Sequence, residues 1–518
     1  MKNYIKIITL SALVFFLQSC TDEKILDLQP INNIALDQAF SSPSIIESSM
    51  NGVYNAAAVG QYNSTNPNGG RGYLWGAAFV QQGDCRGEDV VNIFTFYEAT
   101  YTSAYDGAST FNNVYYWIDG YRLINRCNLM IEGVNKAVTA GIITSAVGNN
   151  YIGQSRFLRA ITHFELLCYF SNTHRFTPTA SHLGVPYREV GIDTEAEIDS
   201  EKNKPRNTVA ECYSKILADL NAAETLITSQ TGGLFKASKN AAIAFKTRVN
   251  LHKRDWPAVI TEGLKLNALA LTPSPGAPFV IPTAPNTESI FSILQGATFG
   301  QNAGTNGALA SQYKGRLLVA ISPIIWRNPM WLATDKRRDE TEGTGLVFTN
   351  AGRKFTNKYK DVATLTDGAP VIRYAEVLLN MAEAYARQSN LTDALTNLNR
   401  VRNRSLATPL TQAYNSTSFT TDATMVGAIL TERRIEFLME GRRWSDIHRL
   451  QGDDLAPITG IPAKYGNGNP AAADYSAPGA YTGPLAQVAV NDYRFLWPIP
   501  QLETNTNPVL AAQQNPGW

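Results

Sequence analysis

Cysteine and histidine are scarce in this chain, with five of each among 518 residues. No two cysteines form a CxxC pair, and their spacings do not suit a zinc site. The histidines, at positions 163, 174, 182, 252 and 448, show no ligand spacing either. The sequence therefore predicts no metal ion and no cofactor.

The cysteines beyond residue 20 have two open interpretations. Cys168 and Cys212 lie in apolar, helical-looking stretches and are predicted to be buried thiols. An exported protein can form disulfides, so a bridge between Cys85 and Cys127 stays open.

An excess of charge is also missing. Lys and Arg number 45 against 44 Asp and Glu, so the chain offers no basic field for nucleic acid or for an acidic membrane surface. Enzyme signatures are absent as well: HExxH, GxSxG, a Walker loop and GxGxxG ahead of a helix do not occur. We therefore expect no nucleic-acid partner and no enzymatic activity.

Long apolar runs are missing, apart from one near the start. Lys2 and Lys6 form a short positive region ahead of the apolar run Ile7–Leu17. This run is too short to span a bilayer as a helix. No later segment is long and apolar enough to be transmembrane. The beginning of the chain is therefore predicted to be a targeting segment.

That segment ends in LQSC at Cys20, which resembles a bacterial lipobox. The resemblance implies a signal peptide over residues 1–19, a lipid on Cys20 and a lipidated tether over residues 20–35. The following acidic pair, Asp22 and Glu23, resembles the surface-export signal of Bacteroidetes lipoproteins. We expect a lipid-anchored protein in the outer membrane that faces the cell surface. The alternative is an ordinary signal peptide that is cut elsewhere.

Apolar residues recur at helical spacing through much of the chain. Ser42 and Pro43 suit a helix start, and Thr208 with Glu211 forms a capping box. Small alanines recur where facing helices would approach closely. The pattern predicts a mainly α-helical fold, with paired antiparallel helices stacked into a TPR-like superhelix. The predicted helical stretches are Phe111–Val134, Tyr151–Phe170, Thr208–Ile227, Ala237–Leu266 with a break near Asp255, and Arg373–Arg404 with a turn at Ser389–Asn390.

Three stretches interrupt this helical pattern. Gln61–Gly76 is a loop rich in Asn and Gly. Asn267–Pro370 is rich in Pro, Gly, Thr and Asn, and its apolar runs SIFSIL and RLLVAIS predict short strands. Gly452–Asp492 is equally irregular. Long ordered loops tend to carry function, so we expect a loop-rich, irregular ligand-binding face.

The stretch Glu432–Leu450 reads ERRIEFLMEGRRWSDIHRL and is dense with charge. It could be the acid/base machinery of an enzyme, a basic face or scaffold. Its apolar spacing predicts one helix, on which Glu440 would pair with Arg443 and Arg442 with Asp446. Carboxylates spaced along one helix point the same way and do not face each other across a substrate. We therefore interpret the stretch as a scaffold helix.

The same stretch resembles the most distinctive helix of the SusD/RagB family, whose pattern is ER-x-x-E-(apolar)-x-x-EG-x-RW-x-D-(apolar)-x-R. Arg373–Arg387 is similar to the helix before it, and Leu496–Trp518 to the family's C-terminus. The resemblance implies an N-terminal SusD-like region with TPR-like helices at 36–285 and a C-terminal RagB/SusD region at 286–518. The matched positions are Glu432, Arg433, Glu436, Glu440, Gly441, Arg443, Trp444, Asp446 and Arg449.

This resemblance also implies a function. SusD-like proteins are surface lipoproteins that bind a nutrient, usually a glycan, and help deliver it to a TonB-dependent SusC-like barrel; they bind and do not cut. The expected partners are thus an oligosaccharide or polysaccharide and a SusC-like barrel. Three alternatives stay open: a peptide ligand as in RagB-type members, a surface glycoside hydrolase, and a helical-repeat protein that only assembles other subunits.

Sugar binding needs flat rings that stack on the C–H faces of pyranoses, together with planar hydrogen-bonding groups. Rings on loops are better candidates than rings on helices, although each of them could instead belong to the core. The family resemblance supports two loop regions, one in each half of the chain. The predicted ligand-binding residues are Arg71, Tyr73, Trp75, Asp84, Arg86, Tyr101, Tyr313, Trp326 and Arg327.

Overall fold

The computed structural model describes residues 38–60, 70–229, 233–279, 285–296, 304–481 and 483–518. The predicted signal peptide, Cys20 and the tether lie outside the described residues, as does most of the predicted loop that begins at Gln61.

Helices dominate the described residues, so the prediction of a mainly α-helical fold is confirmed. Short 3-10 or π turns complete the loops between them. The helices are α1 (Pro43–Val59), α2 (Ala77–Cys85), α3 (Glu98–Thr102), α4 (Phe111–Thr139), α5 (Ser145–Phe170), α6 (Glu195–Glu201), α7 (Val209–Leu226), α8 (Lys239–Lys253), α9 (Trp256–Leu264), α10 (Gly304–Gly307), α11 (Pro323–Trp326), α12 (Tyr374–Ala386), α13 (Leu391–Asn403), α14 (Pro409–Gln412), α15 (Asp422–Glu436), α16 (Arg443–Arg449), α17 (Ala472–Ser476), α18 (Gln501–Thr506) and α19 (Pro508–Ala512).

The long helices pack in sequence order. Helix α4 lies on α5, α5 on α7, α7 on α8, and α8 on α9; α12 then continues the stack against α9, with α13 and α15 beyond it. The predicted helix starts are present, since Ser42 accepts a hydrogen bond from the Ile45 N–H, and Thr208 and Glu211 form the capping box. Asp255 caps α9 at the predicted break.

Short antiparallel strand pairs link distant parts of the chain. The strands are β1 (Val90–Asn92), β2 (Ser289–Ile293), β3 (Val319–Ile321), β4 (Val347–Asn350), β5 (Arg353–Thr356), β6 (Ala369–Arg373), β7 (Gly460–Ile461) and β8 (Val488–Ala489). They pair as β1 with β3, β2 with β6, β4 with β5, and β7 with β8. The β1–β3 pair is the important one for the site, because it joins the N-terminal loops to the insertion between α9 and α12.

The prediction of one continuous helix over Glu432–Leu450 is wrong. Helix α15 ends at Glu436 and α16 begins at Arg443, and Met439 and Gly441 between them have φ of 63° and 74°. Lys358 explains the break, because its Nζ donates to the carbonyl oxygens of Glu436 (3.0 Å) and Leu438 (2.9 Å). Carbonyls that bind a buried ammonium group no longer accept the next helical N–H groups.

The side-chain pairs predicted on that helix are also wrong. Arg443 binds Glu88 at 2.7 Å, and Arg442 lies 3.5 Å from Glu165. Asp446 is instead held by two arginines, with N–O distances of 3.0 Å to Arg433 and 2.8 Å to Arg449. The charges of this stretch therefore tie α15 and α16 to other parts of the chain.

Glu436 is part of an extended buried network of ion pairs. It binds Arg337 at 2.9 Å, Arg373 at 2.6 Å and Arg404 at 2.5 Å. Burial alone would raise the pKa of Glu436, but the guanidinium groups of Arg404, Arg373 and Arg337 together lower it well below the usual range. A carboxylate held by three guanidinium groups cannot act as a general base, so the scaffold interpretation of the stretch fits this geometry.

All four described cysteines are buried free thiols. The prediction for Cys168 and Cys212 is confirmed. The bridge between Cys85 and Cys127, which the sequence left open, does not form. Burial raises the pKa of both thiols, which keeps them protonated.

Gly83 lies where α2 crosses the turn before α16. A Cβ atom built at Gly83 would lie 2.4 Å from the carbonyl oxygen of Gly441. We expect Gly83→Ala to lower the free energy of unfolding by about 1–3 kcal/mol, because neither backbone can move aside easily. Chemical denaturation measures this change.

The matched control is Gly427→Ala. Gly427 also lies within a helix, but a Cβ built there meets no atom within 4 Å. That variant should be stabilised by about 0.5–1 kcal/mol, because alanine is the better helix former. Equal behaviour of the two variants would contradict the close approach at Gly83.

Among the described residues, no helix combines the length and the apolar character that are needed to cross a membrane.

Candidate functional site

Four of the predicted ligand-binding rings lie in the interior. Tyr73, Tyr101 and Tyr313 are 0% exposed and Trp75 is 1% exposed. Trp75 packs on Phe79, with ring centroids 4.7 Å apart. A ring needs an open face to stack on a sugar, so the prediction that these four rings line an accessible face is wrong for this structure.

Asp84 and Arg86 are also buried. Asp84 accepts hydrogen bonds from the Gly441 N–H (3.1 Å) and from the Tyr313 hydroxyl (3.2 Å), and burial raises its pKa. The Arg86 guanidinium lies 3.8 Å from the ring centroid of Trp444 and donates to the Tyr105 hydroxyl at 2.9 Å. Both residues hold the core together, which corrects their assignment to the ligand face.

The other three predicted residues are partly exposed. The Arg71 guanidinium lies 4.1 Å from the ring centroid of Phe96, beside the end of β1. Trp326 and Arg327 lie at the end of α11, which follows β3 directly in the chain. These two residues are at the centre of a partly exposed surface region.

Trp326 and Arg327 belong to a cluster of rings and cations that we call the aromatic face. Trp326 packs edge-on against Trp331, and its ring centroid is 5.4 Å from that of Trp331. Tyr465 and Tyr481 stack on each other at 5.1 Å, with 26° between their planes. The aromatic face is defined by Trp326, Arg327, Arg338, Lys354, Tyr465 and Tyr481, all of which are partly exposed.

Arg327 connects the two halves of the aromatic face. Its guanidinium donates to the backbone oxygens of Pro478 (2.7 Å) and Gly479 (2.9 Å), and it lies 5.6 Å from the ring centroid of Tyr481. These bonds fix the loop that carries Tyr481 beside the end of α11. The Tyr465 hydroxyl in turn donates to Asp474 at 2.7 Å, which fixes the second ring of the stack.

The frame under the aromatic face is rigid. Ser322 caps α11 by accepting from the Ile324 N–H at 3.2 Å, and Pro323 opens the helix. The Tyr475 hydroxyl donates to the Ile321 carbonyl at 2.8 Å, and the Asn92 side-chain amide donates to Asn467 at 2.7 Å. Segments from three distant parts of the sequence therefore meet at this point.

Two cations lie against the Trp326 ring. The Arg338 guanidinium is 4.3 Å from its centroid, and the Lys354 ammonium is 5.1 Å from it. Lys354, in β5, is paired with Glu340, which precedes β4 in the chain. Rings flanked by donors of this type can stack on sugar rings and bind hydroxyl or acidic groups at the same time.

Sequence reasoning missed four members of the aromatic face. Tyr465 and Tyr481 lie in the irregular stretch Gly452–Asp492, outside the two loop regions that the sequence indicates for ligand binding. Arg338 and Lys354 lie in the insertion, and only the fold brings them to Trp326. Aromatic residues inside Gly- and Pro-rich stretches were the available signal.

A cavity of about 910 Å³ lies elsewhere, between α4, the 186–192 loop and the C-terminal helices. Some of its polar groups bind the cavity's own wall: both polar atoms of the Asn125 amide bind Ile192, and the Tyr121 hydroxyl donates to Pro186. Burial raises the pKa of Glu503 at its edge. Because these hydrogen-bonding groups already bind other residues that line the cavity, the cavity is less suited to a polyhydroxylated ligand than the aromatic face is.

One group among the described residues could hold a metal ion. Cys168, His252 and His448 each offer one ligand atom, and the three atoms lie within 4.8 Å of one another. Such a sulfur and nitrogen set suits a soft or borderline ion. Histidine spacing could not reveal the group, because its members come from α5, α8 and α16.

The members of this group also make contacts within the core, although His448 Nδ1 has no hydrogen-bond partner among the described residues. The Cys168 sulfur lies 3.9 Å from His252 Nδ1, and His448 Nε2 donates to the Ser171 carbonyl at 2.8 Å. Burial raises the pKa of Cys168, lowers that of His252 well below its usual value and lowers that of His448 to about 4. All three groups are therefore uncharged at neutral pH.

Two family models match the sequence. The model described as "SusD family" matches residues 329–518, and the model described as "Starch-binding associating with outer membrane" matches residues 24–251. The chain belongs to the SusD family. Together the two matches include α1 to α7, most of α8 and every element from α12 onward. The resemblance seen in the Glu432–Leu450 stretch therefore extends over both halves of this SusD-like chain.

Curated relatives agree with this assignment. SusD-like protein P2 of Formosa agariphila is 26% identical over 504 residues, which cover 88% of this chain and 92% of that protein. SusD-like protein P38 of the same organism is 22% identical and covers 67% of this chain and 74% of its own length.

Solved structures share the fold. A SusD superfamily protein from Bacteroides fragilis has a TM-score of 0.73 and 25% identity, over 91% of this chain and 99% of that one. A structure described as a SusD-like carbohydrate binding protein, from Bacteroides vulgatus, has a TM-score of 0.70 and 20% identity, over 90% and 97% of the two chains. The descriptions of the two family models, and not these structures, assign the SusD-like chain to a carbohydrate-binding family that is associated with the outer membrane.

Proposed function

We propose that this SusD-like protein captures a glycan at the aromatic face, on the outside of the outer membrane, and delivers it to a TonB-dependent SusC-like barrel. The observation that carries the proposal is the aromatic face itself. It presents partly exposed rings beside fixed cations, on loops that a rigid helical stack supports.

The carboxylates of this region favour binding without cleavage. Glu340 binds Lys354 and the Thr349 hydroxyl, the latter at 2.6 Å. Asp474 accepts from the Tyr465 hydroxyl and from the Ala471 N–H at 2.8 Å. A hydrolase needs two carboxylates placed on opposite sides of the scissile bond, whereas these two fix the loops that carry the rings.

Delivery to a barrel requires release, so we expect modest affinity. A dissociation constant in the micromolar to millimolar range corresponds to about −8 to −4 kcal/mol. Stacking on two or three rings, with a few hydrogen bonds to hydroxyl groups, is of this order.

The function is tested by affinity electrophoresis of the purified protein against a panel of polysaccharides, followed by a reducing-sugar assay on every polysaccharide that retards it. The proposal predicts that at least one polysaccharide retards the protein and that no reducing ends are released. Released reducing ends would make the protein a glycoside hydrolase. Retardation by none of the polysaccharides, together with binding to peptides, would replace the glycan by a peptide ligand.

Cys20→Ala should release the protein from the membrane fraction. A lipid on Cys20 would be the anchor, and a protein that loses its acyl chains also loses their membrane affinity. The measurement is fractionation of cells that lack any partner barrel, with Cys212→Ala as the control, since Cys212 is a buried thiol. If the Cys20→Ala protein stays in the membrane fraction, the lipobox assignment is wrong.

A further inference from the structure

Arg338 differs from the arginine beside it. The guanidinium of Arg337 is saturated: it binds Asp335 at 2.7 Å, Glu432 and Glu436 in the interior. The Arg338 guanidinium makes no hydrogen bond and no ion pair with any residue that the structure describes, and its Nε is buried without a partner. One of two adjacent arginines thus belongs to the scaffold, and the other has unused donors at the surface.

The unused donors of Arg338 are held in place by rings. The guanidinium carbon is 4.3 Å from the ring centroid of Trp326 and 4.9 Å from that of Trp331. Burial lowers the pKa of Arg338 to about 10, against the effect of Asp335, so the group is still charged at neutral pH. A charged guanidinium group that packs on an aromatic ring and has no partner for its N–H donors can bind an anionic group.

The two guanidinium groups of the aromatic face, those of Arg338 and Arg327, have no carboxylate partner within ion-pair distance among the described residues. Arg327 donates to backbone carbonyls, and among the described residues no carboxylate lies within ion-pair distance of it. The nearby Lys354 pairs with Glu340, and Asp474 accepts from the Tyr465 hydroxyl. Asp335 acts on Arg338 through space but forms its ion pair with Arg337. In the described part of the chain, the aromatic face therefore keeps two guanidinium groups that no carboxylate binds directly.

We infer that the aromatic face takes an acidic glycan, in which the Arg338 guanidinium binds a carboxylate or sulfate group while Trp326 contacts the sugar ring. The inference rests on the proposed function and specifies the class of its ligand. Uronic acids and sulfated sugars share the chemistry that is needed, which is an anionic substituent one bond or two from a pyranose ring. A guanidinium binds both kinds of anion through paired N–H donors.

Matched pairs of polysaccharides test this inference. One pair is polygalacturonate and its fully methyl-esterified form, and the other is a carrageenan and its chemically desulfated form. Neutral starch and xylan complete the set. Affinity electrophoresis selects a ligand, and isothermal titration with its oligosaccharides then gives dissociation constants at low and high salt.

We expect an acidic member to bind at least about tenfold more tightly than its neutral counterpart, and its affinity to fall with added salt. Arg338→Gln should weaken this binding by about tenfold or more and reduce the salt dependence, with an unchanged melting temperature. The affinity of Arg338→Lys for the acidic ligand should lie between those of the wild type and Arg338→Gln, because lysine keeps the charge and loses the paired N–H donors of the guanidinium group. Arg175→Gln removes an exposed cation elsewhere and should bind like the wild type.

Two results would overturn the inference and leave the proposed function standing: binding of a neutral polysaccharide with equal or higher affinity, or wild-type affinity for the acidic ligand in Arg338→Gln. Failure of all the polysaccharides to bind would remove the inference together with glycan capture. Loss of acidic-ligand binding in Arg338→Gln, with neutral binding intact, would support it most strongly.

Discussion

Glu436→Gln is expected to lower the free energy of unfolding by about 3–5 kcal/mol. Glu436 contacts three guanidinium groups, those of Arg337, Arg373 and Arg404, and it is 2% exposed. Glutamine keeps the shape and removes the charge, so the three cations are left partly uncompensated in the interior. Denaturation by guanidinium chloride or urea measures the loss.

The pH dependence gives a second measure of the same contact. The pKa of Glu436 is lowered in the folded protein, so its contribution to stability is fully present above its unfolded pKa of about 4.3 and is lost as the pH falls through the folded value. The unfolding free energy of the wild type should therefore fall steeply below pH 4.5. The Glu436→Gln variant should show a shallower decline over the same interval.

An exposed glutamate provides the control. Glu195→Gln, in the first turn of α6, should change the free energy of unfolding by less than about 0.5 kcal/mol. Because Glu436 is far inside the scaffold, folded Glu436→Gln protein should bind glycan with wild-type affinity. Lost binding with unchanged stability would place this stretch in the ligand site instead.

Trp444→Ala is expected to cost about 3–5 kcal/mol of stability. The Trp444 ring is 1% exposed and lies 5.2 Å from that of Phe495, and its Nε1 donates to the Cys168 carbonyl at 3.1 Å. The change leaves a cavity and removes the ring on which the Arg86 guanidinium rests. Thermal unfolding and denaturant titration measure this effect.

Trp326→Ala is the matched control, since it makes the same substitution at a partly exposed site. It should leave the melting temperature within a few degrees of the wild type and weaken glycan binding several-fold or more. If Trp444→Ala left stability unchanged, the position of this helix in the core would be contradicted.

The helical architecture could be predicted from the sequence because its signals are local. Apolar spacing located α4, α5, α7, α12 and α13, and the capping residues of α7 and α9 gave their starts. The break between α15 and α16 could not be predicted, because its cause is Lys358, which lies about 80 residues away in the sequence. Long-range contacts of this kind override a local periodic pattern.

The candidate site was only partly predictable for a related reason. Trp75 and Trp326 both lie beside Gly- or Pro-containing segments, and sequence alone gave each the same interpretation. In the structure Trp75 lies beneath α2, whereas Trp326 ends a short helix at the surface. Which ring is open depends on tertiary packing, and so do the positions of Arg338 beside Trp326 and of Tyr481 beside Arg327.

The most direct test of glycan capture at the aromatic face is hydrogen exchange, measured with and without the polysaccharide fragment that the panel selects. Capture there predicts added protection of backbone amides in residues 323–338 and 464–481, and unchanged exchange in residues 117–128 and 186–192. Added protection confined to 117–128 and 186–192, which line the large cavity, would contradict the account.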